Sequence, residues 1–193
     1  MKVHRDHEDG QTSDATPERH HLLTLTAEVH LRLAQRHDIP RLEWFGEYSH
    51  FRNVFRRTYH EQQQGKRLML LADYNDFPIG QVFVQLRSQN TRIADGRYRA
   101  YLYSFRVMEM FRGQGLGTRL MLAAETLLQK RGYSSATIAV AKDNHGALRL
   151  YDRLGYRKFA SDPGQWHYVD HHGNTREVIE PCWLLEHHFT SIS

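Results

Sequence analysis

Three glycines at alternate positions, Gly113, Gly115 and Gly117 in FRVMEMFRGQGLGTRL, pose the first chemical question of this chain. A glycine inside a helix costs about 1 kcal/mol relative to alanine. These three stand between an extended run and the start of a helical pattern, so the backbone itself must be needed there. A strand, a glycine turn and a helix N-terminus in succession aim several unpaired N–H groups outward, at the positive end of the helix dipole. Such a cradle suits an anion, most naturally a pyrophosphate. Two familiar phosphate-binding patterns do not fit. A P-loop needs Lys and then Ser or Thr after its last glycine, whereas Gly117 is followed by Thr118 and Arg119. A dinucleotide fingerprint needs G-x-G-x-x-G, but the spacing here is G-x-G-x-G. A purely structural turn stays open as a reading, on the turn preference of glycine alone.

Other reactive side chains give weaker signals. The only cysteine, Cys182 in EPCWLL, excludes an intrachain disulfide framework and a cysteine-rich zinc site. It reads as a small buried hydrophobe in a terminal strand. Fourteen histidines invite a metal, but the pairs His20–His21, His171–His172 and His187–His188 send adjacent side chains in divergent directions. They lack the helical i, i+4 spacing of a metal motif, and no metal site is expected.

The elements that must position the glycines follow from periodicity. LRLA is a short strand, and Pro40 suits the first turn of a helix. In SHFRNVFRRTYHEQ, Phe51, Val54, Phe55 and Tyr59 form one apolar helical stripe that Gly65 ends. RLMLLAD and IGQVFVQL are strands joined by the turn-rich YNDFP, an antiparallel hairpin. YRAYLYSFRVM is a long strand that runs straight into the glycines. The helix after them, with Leu120, Ala124, Leu127 and Leu128 inward, closes at Lys130, Arg131 and Gly132. SATIAVA is a central strand covered on both faces. DNHGALRLYDRLGY is a second helix, with Asp143 or Asn144 as N-cap and Gly155 as terminator. A last pair of strands spans about Gln165 to Val169 and Glu177 to Glu186. The sum is an α/β (α+β) fold, a mixed sheet with helices packed on it.

At 193 residues and 40% hydrophobic, the chain can form one domain with a sizeable core. Residues 1–25 read as a mobile polar tail and 26–193 as the domain, with no internal repeat. No run of about 18 apolar residues is present and the N-terminus carries no apolar stretch, so a soluble cytoplasmic protein is expected, without membrane association. The formal charge of +4, from 26 basic and 22 acidic residues, is spread along the chain. Without a basic cluster interleaved with aromatics, nucleic acid is not an expected partner, whereas an anionic small ligand is compatible.

RGQGLGT resembles the acyl-CoA pyrophosphate loop of the GNAT superfamily of N-acetyltransferases, with Arg112, Gly115 and Gly117 filling its Q/R-x-x-G-x-G/A pattern. NHGALRLYDRLGYRKF is similar to the family's second motif, N-x-x-A-x-x-x-Y-x-x-x-G-F/Y, on Asn144 and Tyr151. Seven residues is nearly two helical turns, so these two side chains lie along one face. The resemblance spans roughly Leu31 to His187 in order of elements. It implies a mostly antiparallel twisted sheet whose central strands splay, and a single domain that binds acetyl-CoA. Phe105, Arg106 and Val107 would offer backbone groups to the pantetheine arm. Arg112, Gly113, Gln114, Gly115, Leu116, Gly117 and Thr118 would hold the pyrophosphate, with Asn144 beside the cofactor. Glu109 stands where many members have proline, and it reads as a shaper of the turn.

The activity implied is transfer of an acetyl group to a primary amine by direct attack. Tyr151 is the candidate to protonate the departing thiolate, against the alternative of a core aromatic. Several relatives use a glutamate as base, but the corresponding positions are Tyr101 and Ala139, so that role stays open. On the acceptor side, Glu43 and Glu47 lie among Trp44, Phe45 and Tyr48. They are either surface carboxylates or the wall of an acidic, aromatic recess for a cationic amine. A small amine or metabolite is the expected acceptor. A protein N-terminus or lysine, a non-catalytic acyl-CoA sensor and a homodimer remain open.

Overall fold

The structure, a computed structural model, describes residue 26 and residues 28–190, and the tail expected over 1–25 lies outside the described residues. In β2 (Arg67–Tyr74) every residue from Leu68 to Asp73 is buried. Alternation makes a strand of so unbroken a run. Leu68, Leu70 and Ala72 join the core on one face of the sheet, while Met69 and Leu71 join a separate core on the other. Two helical layers are thereby required.

One layer is α2 (Leu116–Gln129), whose Leu120, Met121, Ala124 and Leu128 are fully buried in the first core together with Val82 and Val84. α3 (His145–Arg153) lies in the same layer, through Tyr151. The other layer is α1 (Arg52–Gln63), which sets Phe55 with Leu42 and Phe83 in the second core.

The sheet runs β1 (His30–Leu33), β2, β3 (Phe77–Gln85), β4 (Arg99–Val107), β5 (Ser135–Ala141), β9 (Cys182–His188), β6 (Arg157–Asp162). Only β4 and β5 are parallel. The β2–β3 turn places Asn75 and Asp76 at φ +51° and +60°, the left-handed pair that a two-residue hairpin favours. β7 (Gln165–Val169) and β8 (Thr175–Ile179) form a hairpin of their own.

Three expectations are corrected. The strand expected over Glu177–Glu186 is two strands, β8 and β9, because Pro181 has no N–H to donate and the chain changes sheet there. β6 was not foreseen; its first three residues, Arg157, Lys158 and Phe159, are exposed, as in a charged edge strand with no apolar face to betray it. The helix expected from Pro40 is a 3-10 helix, Arg36–Glu43, with Pro40 inside it. It is stopped by Trp44, Phe45 and Gly46, all at positive φ.

A buried ion cluster pins that 3-10 helix to the sheet edge. Arg32 donates from Nε to Asp73 Oδ2 at 2.6 Å and from both terminal nitrogens to Asp38, at 2.7 and 2.8 Å. Asp38 is fully buried. Burial pushes its carboxyl up, but Arg32 and the Gln35 N–H outweigh that and hold it below its ordinary value. A carboxyl lowered on folding adds stability above its unfolded pKa and loses it as pH falls through the folded one. Arg32→Met should therefore cost about 3 kcal/mol at about pH 7, since it strands a buried charge. The loss should shrink near pH 3, where Asp38 in the variant takes up a proton. Urea unfolding at both pH values reads this, and equal losses would assign the effect to packing.

Candidate active site

β4 and β5 pair only over Arg99–Leu102 against Ser135–Ile138, and beyond that they diverge. The cause is local. Between Gln81 and Phe83 of β3, β4 runs from Arg106 to Tyr103, so β4 carries an extra residue. Ser104 marks it, at φ +52°. Such a bulge bends its strand and sharpens the twist, and a non-glycine residue in this region stores about 1–3 kcal/mol of strain. Gln81, 1% exposed, holds it: Nε2 donates to the Ser104 carbonyl and to Ser104 Oγ, both at 3.1 Å. The β5-facing backbone edge of Phe105, Arg106 and Val107 is left without a strand partner, as the resemblance implied.

The loop beyond β4 presents its backbone in the same region. None of the N–H groups from Gly113 to Thr118 meets an acceptor among the described residues, and the first bond of α2 is Arg119 N–H to Gly115 O. Gly113 and Gly115 sit at φ +75° and +80°, with open space where a Cβ would stand. Gly117 differs. A Cβ there would lie 3.0 Å from the Phe105 ring, so its smallness serves helix–strand contact. Arg112 Nε donates to the Val107 carbonyl at 2.8 Å, tying the loop to the end of β4. Gln114 bonds Met110 O at 3.1 Å, and Leu116 and Thr118 occupy the first turn of α2.

Tyr151 enters from α3, 4% exposed, its ring 6.3 Å from Phe105 and 5.9 Å from Tyr156. Its hydroxyl has no hydrogen-bond partner among the described residues. Burial first, and the nearby Tyr101 second, hold its pKa above the ordinary tyrosine value. Asn144 is the N-cap of α3; its Oδ1 accepts from Ala147 N–H at 3.0 Å. The two residues belong to one helix, but the Asn144 oxygen already has a structural task.

On the α1 face of the splayed strands lies a cavity of about 610 Å³. Small side chains, Ala139, Ala141 and Cys182, line part of it, and Phe51, Trp166 and Tyr168 are among its aromatic walls. Tyr101, Tyr103 and Arg106 enter it from β4, and Asp162 and Glu180 from the β6 and β8 ends. The sequence reading did not single out Asp162 and Glu180, whose placement depends on β6 and on the β7–β8 hairpin, or the Arg106 side chain, whose face is set by the extra residue in β4. Cys182 is buried, and burial, with Asp162 and Glu180 nearby, keeps its thiol above its ordinary pKa.

Glu43 and Glu47 do not line this cavity. Glu43 receives both Nε and Nη2 of Arg52, at 2.6 and 2.7 Å, and Ser49 Oγ at 2.9 Å, so its carboxylate is engaged in holding the turn before α1. Glu47 is exposed. The acidic residues that line the cavity are Asp162 and Glu180. Among the described residues no group of three or more metal-ligating side chains occurs, and no helix is long and apolar enough to cross a membrane.

Comparison with known proteins places this geometry. A 50-residue stretch is 44% identical to mycothiol acetyltransferase of Rhodococcus jostii, covering 26% of this chain and 16% of that protein. A 61-residue stretch is 30% identical to N-alpha-acetyltransferase 30 of Schizosaccharomyces pombe, covering 32% of this chain and 41% of that protein. The chain thus matches less than half the length of each. The fold is shared with Arabidopsis thaliana NAA60, solved in complex with acetyl-CoA, at TM-score 0.63 and 18% identity over 83% of this chain and 98% of that one. Residues 33–156, from the end of β1 through α3, match the model of the Acetyltransferase (GNAT) family. That match covers well over half of the sequence and includes both motifs, and the chain belongs to the GNAT acetyltransferase family.

Proposed function

We propose that the protein transfers an acetyl group from acetyl-CoA to the nitrogen of a small primary amine by direct attack. The observation that carries this reading is the splay of β4 from β5 beside a loop of unbonded N–H groups. An extended arm fits the open strand edge as an added strand would, and a pyrophosphate fits the start of α2. Phe105 to Val107 would take the arm, and Gly113 to Thr118 the phosphates. Arg112, with Nε committed to Val107, keeps loop and strand in register. Acetyl-CoA supplies an activated acyl group whose leaving group is a thiolate. The chain's own residues position it and supply the proton.

Tyr151 is the donor this geometry supports, because its hydroxyl is free of other hydrogen bonds and stays protonated well beyond neutral pH. Cys182, the lone thiol, is kept protonated by burial, which favours direct attack over a covalent intermediate. Tyr101 and Ala139, at the positions that the resemblance matches to the glutamate of several family members, both line the cavity, and neither is an ordinary base. Asp162 and Glu180 supply the carboxylates that face an incoming ammonium there.

Acetyl-CoA at about a hundredfold excess over its Kd should stabilise the fold by about 2.7 kcal/mol. Gly115→Val, which forces a branched side chain into a left-handed position, should weaken acetyl-CoA at least tenfold while the far-UV spectrum stays unchanged. Unaltered affinity in a folded variant would remove the loop from the cofactor site.

Tyr151→Phe should lower kcat on the order of 10². Its Tm should hold, because the deleted hydroxyl has no partner to leave unsatisfied. Since burial raises its pKa, Tyr151 remains a donor as pH rises, and kcat should show no descending limb from it below about pH 10. A variant with normal turnover and a lowered Tm would return Tyr151 to the core.

A further inference from the structure

The side chain of Arg106 does something the cofactor reading leaves unused. Its backbone belongs to the open edge of β4, while its guanidinium points into the α1-face cavity, 4.4 Å from the Tyr48 ring centroid and 4.9 Å from that of Phe51. Among the described residues the guanidinium makes one hydrogen bond, from Nη1 to Ser104 Oγ at 3.1 Å. No carboxylate among the described residues stands within ion-pair distance of it. Of the two other arginines that line this cavity, Arg57 is exposed, and Arg67 is matched by Glu61 and donates to Tyr103 Oη at 2.7 Å. Burial lowers the Arg106 pKa, with Tyr48 and the exposed Glu47 offsetting part of it.

Arg106 is half-buried, and a guanidinium taken partly out of water gains when something of opposite charge completes it. Its remaining N–H donors form a planar fork that matches a carboxylate bidentately. The two aromatic rings beneath it fix that plane, so little entropy is lost when the fork is filled. Asp162 and Glu180, which line the same cavity, carry the opposite sign. The cavity lining therefore offers both signs of charge, as a molecule bearing both an amine and a carboxylate requires.

Resting on the acetyl-transfer reading, we infer that the acceptor is a small amino acid or amino-acid-like amine whose carboxylate is bound by Arg106. The site is a cavity of about 610 Å³ walled in part by aromatic side chains, of the size of small-molecule pockets, which favours a free amino acid over a polypeptide. An acyl end laid along the open edge of β4 would approach this cavity, and Arg106 would hold the carboxylate of an amine that meets it there.

The test compares acceptors that differ only in charge. Glycine, β-alanine, phenylalanine and tryptophan, each beside its carboxamide, are assayed for CoA thiol release with wild type, Arg106→Gln and Arg106→Lys. Wild type should prefer at least one free acid over its amide by tenfold or more. Arg106→Gln should raise KM for that acid about tenfold to a hundredfold and abolish the preference, with a much smaller change in KM for acetyl-CoA, since only the backbone of Arg106 belongs to the open strand edge. Arg106→Lys should recover part of it, since a point charge replaces the fork. Equal use of acid and amide by wild type, or an equal loss for both in Arg106→Gln, would overturn the proposal, as would better turnover of peptides beginning with an acidic residue. Calorimetry with the N-acetylated acids and amides reads the site without turnover. Acid-selective binding lost in Arg106→Gln, with no thiol release from any acceptor, would leave the carboxylate site standing and remove acetyl transfer. Binding without that selectivity would remove the carboxylate site.

Discussion

One extra residue in β4 sets the geometry on which the rest of the site depends. Without it, β4 and β5 could continue their parallel pairing past Leu102 and Ile138, and the sheet would close. With Ser104 in the left-handed region, the strand bends and the two edges part. Strain of this kind persists only where the surroundings over-determine it. Here Gln81, a polar side chain buried on β3, spends its amide on the bulge. A buried amide left unbonded would cost about 1–3 kcal/mol, so the clamp resists reversion to a regular ladder. The open edge, the direction of the loop and the cavity on the α1 face all follow.

The three glycines meet two separate demands that the sequence motif runs together. Gly113 and Gly115 supply left-handed backbone in open space, so their cost is conformational. Gly117 has ordinary helical surroundings but faces the Phe105 ring, so its cost is steric. The distinction has a structural consequence. Gly117 lets α2 dock onto the strand that carries the open edge, and Arg112 ties the same strand's last carbonyl to the loop. Strand edge and anion cradle are thereby held as one unit, as a ligand with both an extended arm and a phosphate end needs.

What the sequence showed and what it concealed divide along the same physical lines. Helix periodicity, turn glycines and the unbroken apolar runs of β2 and β5 are local signals, and α1, α2, α3 and the β2–β3 hairpin stand where they indicate. β6 is an edge strand with a charged, exposed start and gives no such signal. Its absence from the reading hid Asp162, and the change of sheet at Pro181 hid Glu180. Glu43 looked available because a carboxylate among aromatics resembles a binding wall, but Arg52, nine residues on, takes both its oxygens. The Ser104 bulge was illegible for a further reason. Nothing in YLYSFRV breaks alternation on paper; only the register against β3 reveals the added residue.

That added residue also decides which face of the sheet each β4 side chain serves. Across the bulge Tyr103 and Arg106 share the α1 face, and Phe105 turns to the other, against Gly117 and Tyr151. A regular strand would put Tyr103 and Arg106 on opposite faces, since successive side chains alternate. Arg106 would then enter the apolar layer beneath α2, where an unpaired guanidinium has no compensating partner. The same irregularity that opens the strand edge therefore delivers the cation to the cavity. Tyr151 and Arg106 end up on opposite faces of one opening, Tyr151 among the core residues of α2 and α3 and Arg106 among the aromatics of the α1 side. A reacting centre at the opening can thus be approached by groups of unlike chemistry without their sharing a solvent shell.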